Sequence, residues 1–177
     1  LVTSFSCGGK YALPLRCASP TPPMLRSFDT AAIANHAGTD HAAGDNIGGR
    51  LTFPNLVNIG KGGIITDIVV TDVAKLNTPL EVWIFDRDPS AGSTIVDNTA
   101  VSIAAAHATS LRRIIPIATT DWVDCGAFSA ANPSFDKLIV NPGGLSGDID
   151  AVLVVRTAAR NQTAADNLTV SIAAESH

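Results

Sequence analysis

Beyond residue 47 the chain alternates apolar and polar positions with a period of two, interrupted at short intervals by turn residues. Leu51 and Phe53 share one face of a short strand that Pro54 stops or places at an edge. Residues 60–63, G-K-G-G, form a turn, and residues 64–73 are a β-branched run. Ile64, Ile68 and Val70 fall on one face of that run and Ile65, Val69 and Val73 on the other, which predicts an inner strand largely buried on both sides. After the turn L-N-T-P at residues 76–79, Leu80, Val82 and Ile84 point one way and Trp83 and Phe85 the other. The aromatic face is either a second buried layer or a subunit contact. Asp86, Asp88 and Pro89 end the strand.

Further along, Asp97-Asn98 is placed to cap a two-turn helix within residues 99–108. A strand over residues 111–118 contains Pro116 and so belongs near an edge. Residues 120–132 read as irregular, plugged by Trp122 and Phe128. A short strand over 135–140 leads to the turn N-P-G-G, then to the most apolar strand, residues 149–157. Leu168, Val170 and Ile172 close the chain as an alternating strand with Thr169 and Ser171 outward. The pattern predicts an all-β protein, a β-sandwich or jelly roll of about seven or eight strands. A parallel α/β sheet would need helices of about ten residues or more between strands, and no such segments occur.

Residues 1–46 differ in kind. S-P-T-P-P at residues 19–23 fits neither a helix interior nor a central strand. Phe5, Tyr11, Leu13, Leu15, Met24, Leu25 and Phe28 are apolar anchors without a period, and residues 30–36 have room for one or two helical turns. The expected organisation is an extended N-terminal arm over residues 1–46, lying on a neighbouring surface through those seven side chains, and a β-sandwich domain over residues 47–177. The competing reading makes this region a tail, or a strand completing the domain's own sheet.

At 177 residues the chain is long enough to bury a core, and 46% of it is apolar. Charged residues make up 16%, below the usual quarter, which fits a surface partly covered by partners. The net charge of −4 argues against direct nucleic-acid binding. No apolar run reaches the length of a membrane span, and L-V-T-S-F-S-C-G-G-K lacks the charged start and apolar core of a signal peptide. Cys7, Cys17 and Cys125 are odd in number and include no C-x-x-C, so neither a disulfide framework nor a four-ligand zinc site is expected, although Cys7 and Cys17 could pair.

Candidate chemistry is sparse. Asp86 and Asp88, with Asp97 nearby, could bind a cation or serve as a glycosidase pair, but strand-end carboxylates are more often turn formers. His36 and His41 have no ligand spacing and read as surface or partner-contact residues; His107 and His177 stand alone. Ser146 in G-L-S-G-D departs from a nucleophile elbow, because Asp148 stands where glycine is required. G-K-G-G lacks the spacing of a phosphate loop. Asn161 and Asn167 begin glycosylation sequons, with nothing else to indicate a secretory route. No enzyme activity, no catalytic, cofactor-binding or metal-binding residues and no cofactor are expected.

Three segments carry a family resemblance: H-A-A-G-D-N-I-G-G-R-L-T-F from His41, G-G-I-I-T-D-I-V-V-T-D from Gly62, and P-L-E-V-W-I-F-D-R-D-P-S from Pro79. Together with Asp97-Asn98 and the I-I-P-I-A of residues 114–118, they resemble a family of small structural proteins of tailed bacteriophages, over roughly residues 41–125. The resemblance implies a capsid decoration or cement protein on the virion exterior, assembled in the host cytoplasm. It would bind the major capsid protein as a homotrimer and stabilise capsomer contacts through its arm and oligomer interfaces. It offers no active site to transfer, and residues 1–40 have no counterpart in it. A tail, neck or receptor-binding jelly roll and a carbohydrate-binding sandwich are the alternatives.

Overall fold

The computed structural model describes residues 24–29, 33–34, 40–142, 146–157, 160–161 and 167–176. Among them the strands in chain order are β1 (Met24–Asp29), β2 (Ile33–Ala34), β3 (Asp40–His41), β4 (Asn46–Phe53), β5 (Gly63–Asp72) and β6 (Leu80–Phe85). There follow β7 (Leu111–Ile117), β8 (Trp122–Asp124), β9 (Ser129–Ala131), β10 (Leu138–Val140), β11 (Ile149–Val155), β12 (Arg160–Asn161) and β13 (Asn167–Ser176). Helix is confined to the 3₁₀ turns Ala105–His107 and Thr119–Asp121. The expected helix within residues 99–108 is therefore a correction. Its start is held instead by backbone bonds to the β3–β4 region, where Asn46 N donates to Thr99 O and Val101 N to Gly44 O, both at 3.0 Å.

The fold is an all-β sandwich, as the alternation predicts. The larger sheet runs β1-β13-β5-β9-β8, with β10 also on β5 and β2 on β13; the smaller runs β4-β11-β6-β7, and β3 pairs with β12 separately. All pairings between these named strands are antiparallel. Strand β7, with Pro116, closes one end of the smaller sheet, the edge position its proline requires. Between the sheets lies one core, with Ile47, Phe53, Ile68, Val82, Ile115, Leu153 and Val170 among its members. Each fully buried Val, Leu, Ile or Phe contributes about 1.5–3 kcal/mol relative to exposure.

Two details depart from simple alternation. In β5, Ile65 is buried with Ile68 and Val70 while Ile64 is only half-buried, because the pairing with β13 shifts register between Ala173 and Ala174. One extra residue in β5 reverses the facing of its first half. The face carrying Ile64, Val69 and Thr71 is half-open and Val73 is 47% exposed, so the expected burial on both faces is not found. Residues 120–132, expected to be irregular, instead form the β8–β9 hairpin. Trp122 is buried and its Nε1 donates to Thr78 O at 3.3 Å, whereas Phe128 is 37% exposed and plugs nothing.

The smaller sheet is covered on both sides. Trp83 and Phe85 face away from the main core and meet Val152, Val154, Leu111, Ile95, Val101 and Ile103, so the aromatic face of β6 is a second buried layer. Residues 95–103 supply the cover, which explains why all seven residues of β11 are buried.

Of the segment expected to be an arm, Phe5, Tyr11, Leu13 and Leu15 lie outside the described residues. Met24, Leu25 and Phe28 belong to β1, whose backbone pairs with β13 from Met24↔Ser176 to Asp29↔Ser171. This part of the segment is an edge strand of the larger sheet.

Candidate functional site

The site begins with a bulge in β4. Opposite β11, Val152 pairs with Arg50 and the next residue, Leu153, with Ile47, so Gly48 and Gly49 are looped out of the ladder. Both have φ near +78°, a conformation in which a side chain is strained. Side chains hold the loop: Asn46 Nδ2 donates to Leu153 O at 3.2 Å, Asn46 Oδ1 accepts from Gly49 N, and Asp97 Oδ1 accepts from Gly48 N at 2.7 Å. The D-N-I-G-G-R motif is thus a structural device, and the residue emerging from it on the outer face of the sheet is Arg50.

Beside Arg50 on that face stand Thr52 of β4 and Asp150 of β11, a directly paired couple in which Thr52 Oγ1 donates to Asp150 Oδ1 at 2.7 Å. Asp86, Arg87 and Asp88 follow β6, and the loop before β11 adds Pro142, Ser146 and Asp148. Together they line a pocket of about 470 Å³. Asp86 is fully buried and ion-paired with Arg112. Arg112 is the extra residue where β7 shifts register between Ile84↔Arg113 and Phe85↔Leu111, so a second bulge aims it at Asp86. Arg50 pairs with Asp88, and its Nε lies 3.8 Å from Asp150 Oδ1. Asp148 Oδ1 accepts from Asn55 N at 2.8 Å.

The carboxylates differ in their proton affinity. Burial raises Asp150 above the ordinary aspartate value, against the opposing Thr52 hydrogen bond and Arg50 charge. For Asp88 burial also pulls upward, but the Ser90 and Arg50 hydrogen bonds and the Arg50 charge outweigh it and lower the pKa to about 2. Asp88 is therefore ionised at neutral pH and cannot act as a general acid there.

The sequence-predicted positions are partly reunited. Asp86 and Asp88 share the pocket, each held by an arginine, while Asp97 lies elsewhere and binds His41 Nε2 at 2.9 Å. His41 is fully buried, which corrects its expected surface role. Ser146 lines the pocket and is exposed, and Gly147 packs so closely on Val57 that a Cβ would overlap Val57 O, so the backbone at residue 147 is held by packing. His107 Nε2 contacts Ala91 O at 2.8 Å. Among the described residues, no group of three or more His, Cys, Asp or Glu is arranged to hold a metal ion. His36 and His177 lie outside the described residues. Arg50, Thr52, Asp148 and Asp150 were not singled out from the sequence. They come from segments about a hundred positions apart; for Arg50, Thr52 and Asp150 the local signal is a polar residue on the outward phase of an apolar strand, and Asp148 immediately precedes β11.

No protein-family model matches the chain, and no curated protein matches it. A solved structure described as Desmodium yellow mottle tymovirus is similar at 11% identity and a TM-score of 0.26, covering 99% of this chain and 93% of that one. A likeness at that TM-score carries no argument for fold or function.

Proposed function

We propose that the chain is a structural protein of a tailed-phage virion, a decoration or cement protein that binds the outer surface of the capsid as a homotrimer. The observation that carries this reading is where the resembling segments fall. They are β4 with its bulge, at one end of the smaller sheet, β6 inside that sheet and β5 at the middle of the larger one, so the resemblance falls on the framework. The surface supports the reading: Ile139 is 73% and Val123 63% exposed, and Val123 lies on β8, the free end of the larger sheet. A strand edge with an exposed apolar side chain suits contact with a neighbouring subunit. A closed threefold assembly would bury such edges without propagating.

The informative truncation removes residues 1–23. It leaves every described strand in place, whereas removal of residues 1–40 also takes β1 and strips β13 of a partner. Purified capsids lacking the protein would be mixed with full-length and truncated chain, and bound protein located by electron microscopy. Decoration of the capsid shell by the full chain, weakened by the truncation, supports the proposal. Recovery of the protein with separated tails only, or shell binding unchanged by the truncation, refutes the cement role or the arm's part in it, respectively.

A further inference from the structure

We propose that residues 1–23 of one copy of the chain lie across the outer face of the larger sheet in a neighbouring copy. The proposal rests on the homotrimer of the reading above and not on the capsid. Side chains directly opposite each other on paired strands share a face. On the side away from the core, Val123, Ala130, Thr71 and Thr169 therefore form one row across β8, β9, β5 and β13. Ile139, Ile64 and Glu175 form another across β10, β5 and β13. All seven are half-buried or exposed. On these five strands the outward charged residues are Asp67, opposite Ala173, and Glu175, and both are acidic. The outer side of the smaller sheet is roofed by residues 95–103. The single chain leaves two apolar side chains of the larger sheet open, Ile139 at 73% and Val123 at 63% exposure.

Charge, position and length select the occupant. Residues 1–23 carry Lys10 and Arg16 and no Asp or Glu, with Phe5, Tyr11, Leu13 and Leu15 as large apolar side chains. That composition complements an apolar face marked by two acids, whereas two such faces set against each other would bring like charges together. The segment joins the domain at Met24, the first residue of β1, which is one end strand of the larger sheet. Both open apolar side chains stand toward the opposite end: Val123 is on β8, the other end strand, and Ile139 is on β10, across β5 from β13. Within one copy they are about 15–20 Å from the β1 rim, at about 4.8 Å per strand. In a closed ring of head-to-tail contacts the β1 rim of one copy adjoins the β8 rim of the next, which brings both to the near side. The two rows, at Ile64 and Thr71 of β5, are about 23 Å apart. Fully extended, residues 1–23 reach roughly 75–83 Å, enough to cross from rim to rim and cover both rows.

The test is thiol cross-linking of the full-length chain. Cys125→Ser removes the exposed native thiol and Ile139→Cys places one on the face, while Cys7 and Cys17 supply those of the segment. Isotope-labelled and unlabelled chains are mixed by unfolding and refolding, treated with a short bismaleimide, and mapped by mass spectrometry. The expected links join the introduced thiol to Cys7 or Cys17, with labelled and unlabelled partners combined. Sedimentation supplies a second readout: Asp67→Lys with Glu175→Lys, its fold checked by circular dichroism, should weaken self-association about tenfold or more. The proposal is overturned if the full-length chain is monomeric, if no link to the segment forms, or if such links stay within one chain. Introduced thiols linked only to each other would place two faces together and overturn it as well, as would unchanged association of the folded charge-reversed variant. Capsid decoration is scored separately. Interchain links in a protein that leaves capsids bare refute the capsid reading and keep this one, and decoration without such links does the reverse.

Discussion

Phe85→Ala tests the second buried layer most directly. Phe85 is fully buried, and its ring lies in the cluster formed with Val152 and Val154 beneath Trp83, Ile95, Val101, Ile103 and Leu111. Truncation removes the ring from a site whose floor is the hydrogen-bonded sheet and whose roof is the 95–103 segment. The floor cannot collapse, and the roof is tied by Thr94 N to Ser102 O at 2.7 Å and Val101 N to Gly44 O at 3.0 Å. A cavity therefore persists, and a cost of about 3–5 kcal/mol is expected. For a domain of this size that lowers Tm by roughly 6–20 °C. Urea and thermal denaturation of the parent and variant supply the numbers, with Ile59→Val at an exposed site as the control, expected within about 0.5 kcal/mol of the parent. Hydrogen exchange should show the amides of Val101 and Ser102 losing protection first. A Phe85→Ala cost below about 1.5 kcal/mol, or a loss of self-association with monomer stability unchanged, would mean that the aromatic face is a subunit contact after all.

Other outcomes follow from the same geometry. Asp97→Ala removes the acceptor of both His41 Nε2 and Gly48 N, and should cost about 2–4 kcal/mol in urea denaturation. Gly147→Ala forces a Cβ onto the backbone oxygen of Val57, and a loss of about 1–3 kcal/mol is expected by the same assay. Asp88 and Asp150 should shape acid stability with opposite sign. The folded pKa of Asp88 falls from 3.8 to about 2, so its contribution is present above the unfolded value and is lost as pH falls through that interval. Asp88→Asn should therefore flatten the fall of the urea midpoint between about pH 4 and pH 2. The folded pKa of Asp150 is raised, so its ionisation disfavours the folded state as pH rises from the unfolded value through the folded one, and Asp150→Asn should gain stability relative to the parent over that rise. Equal pH profiles for the two variants would contradict the assignment.

Much of the framework was legible because a strand's facing depends on residues two apart. Leu80, Val82 and Ile84 are core, and Trp83 and Phe85 face the opposite side, as the alternation predicts. Legibility failed where one inserted residue changes the phase. Ile65 joined the core only through the bulge in β5, and nothing in I-I-T-D-I announces it. The helix expected in residues 99–108 failed because alanine permits helix, while Val101 and Ile103 are more favourably buried on Phe85 in an extended path.

The candidate pocket divides the same way. Asp86 and Asp88 stood out as adjacent acids at a strand end, and their neighbourhood was legible from that alone. Their partners were not, because Arg50, Arg112, Asp148 and Asp150 reach them across strands rather than along the chain. His41 shows the limit most plainly: a histidine in a glycine-rich entry has no local mark of burial, and only the packing of the β3–β4 region against Asp97 places it inside. By itself the sequence determined the all-β class and the facing of unbulged strands such as β6, since these follow from side-chain periodicity and backbone dihedral preference. Tertiary structure decided the bulges, the second buried layer and the charged pocket, since each depends on register between segments that local preference leaves open.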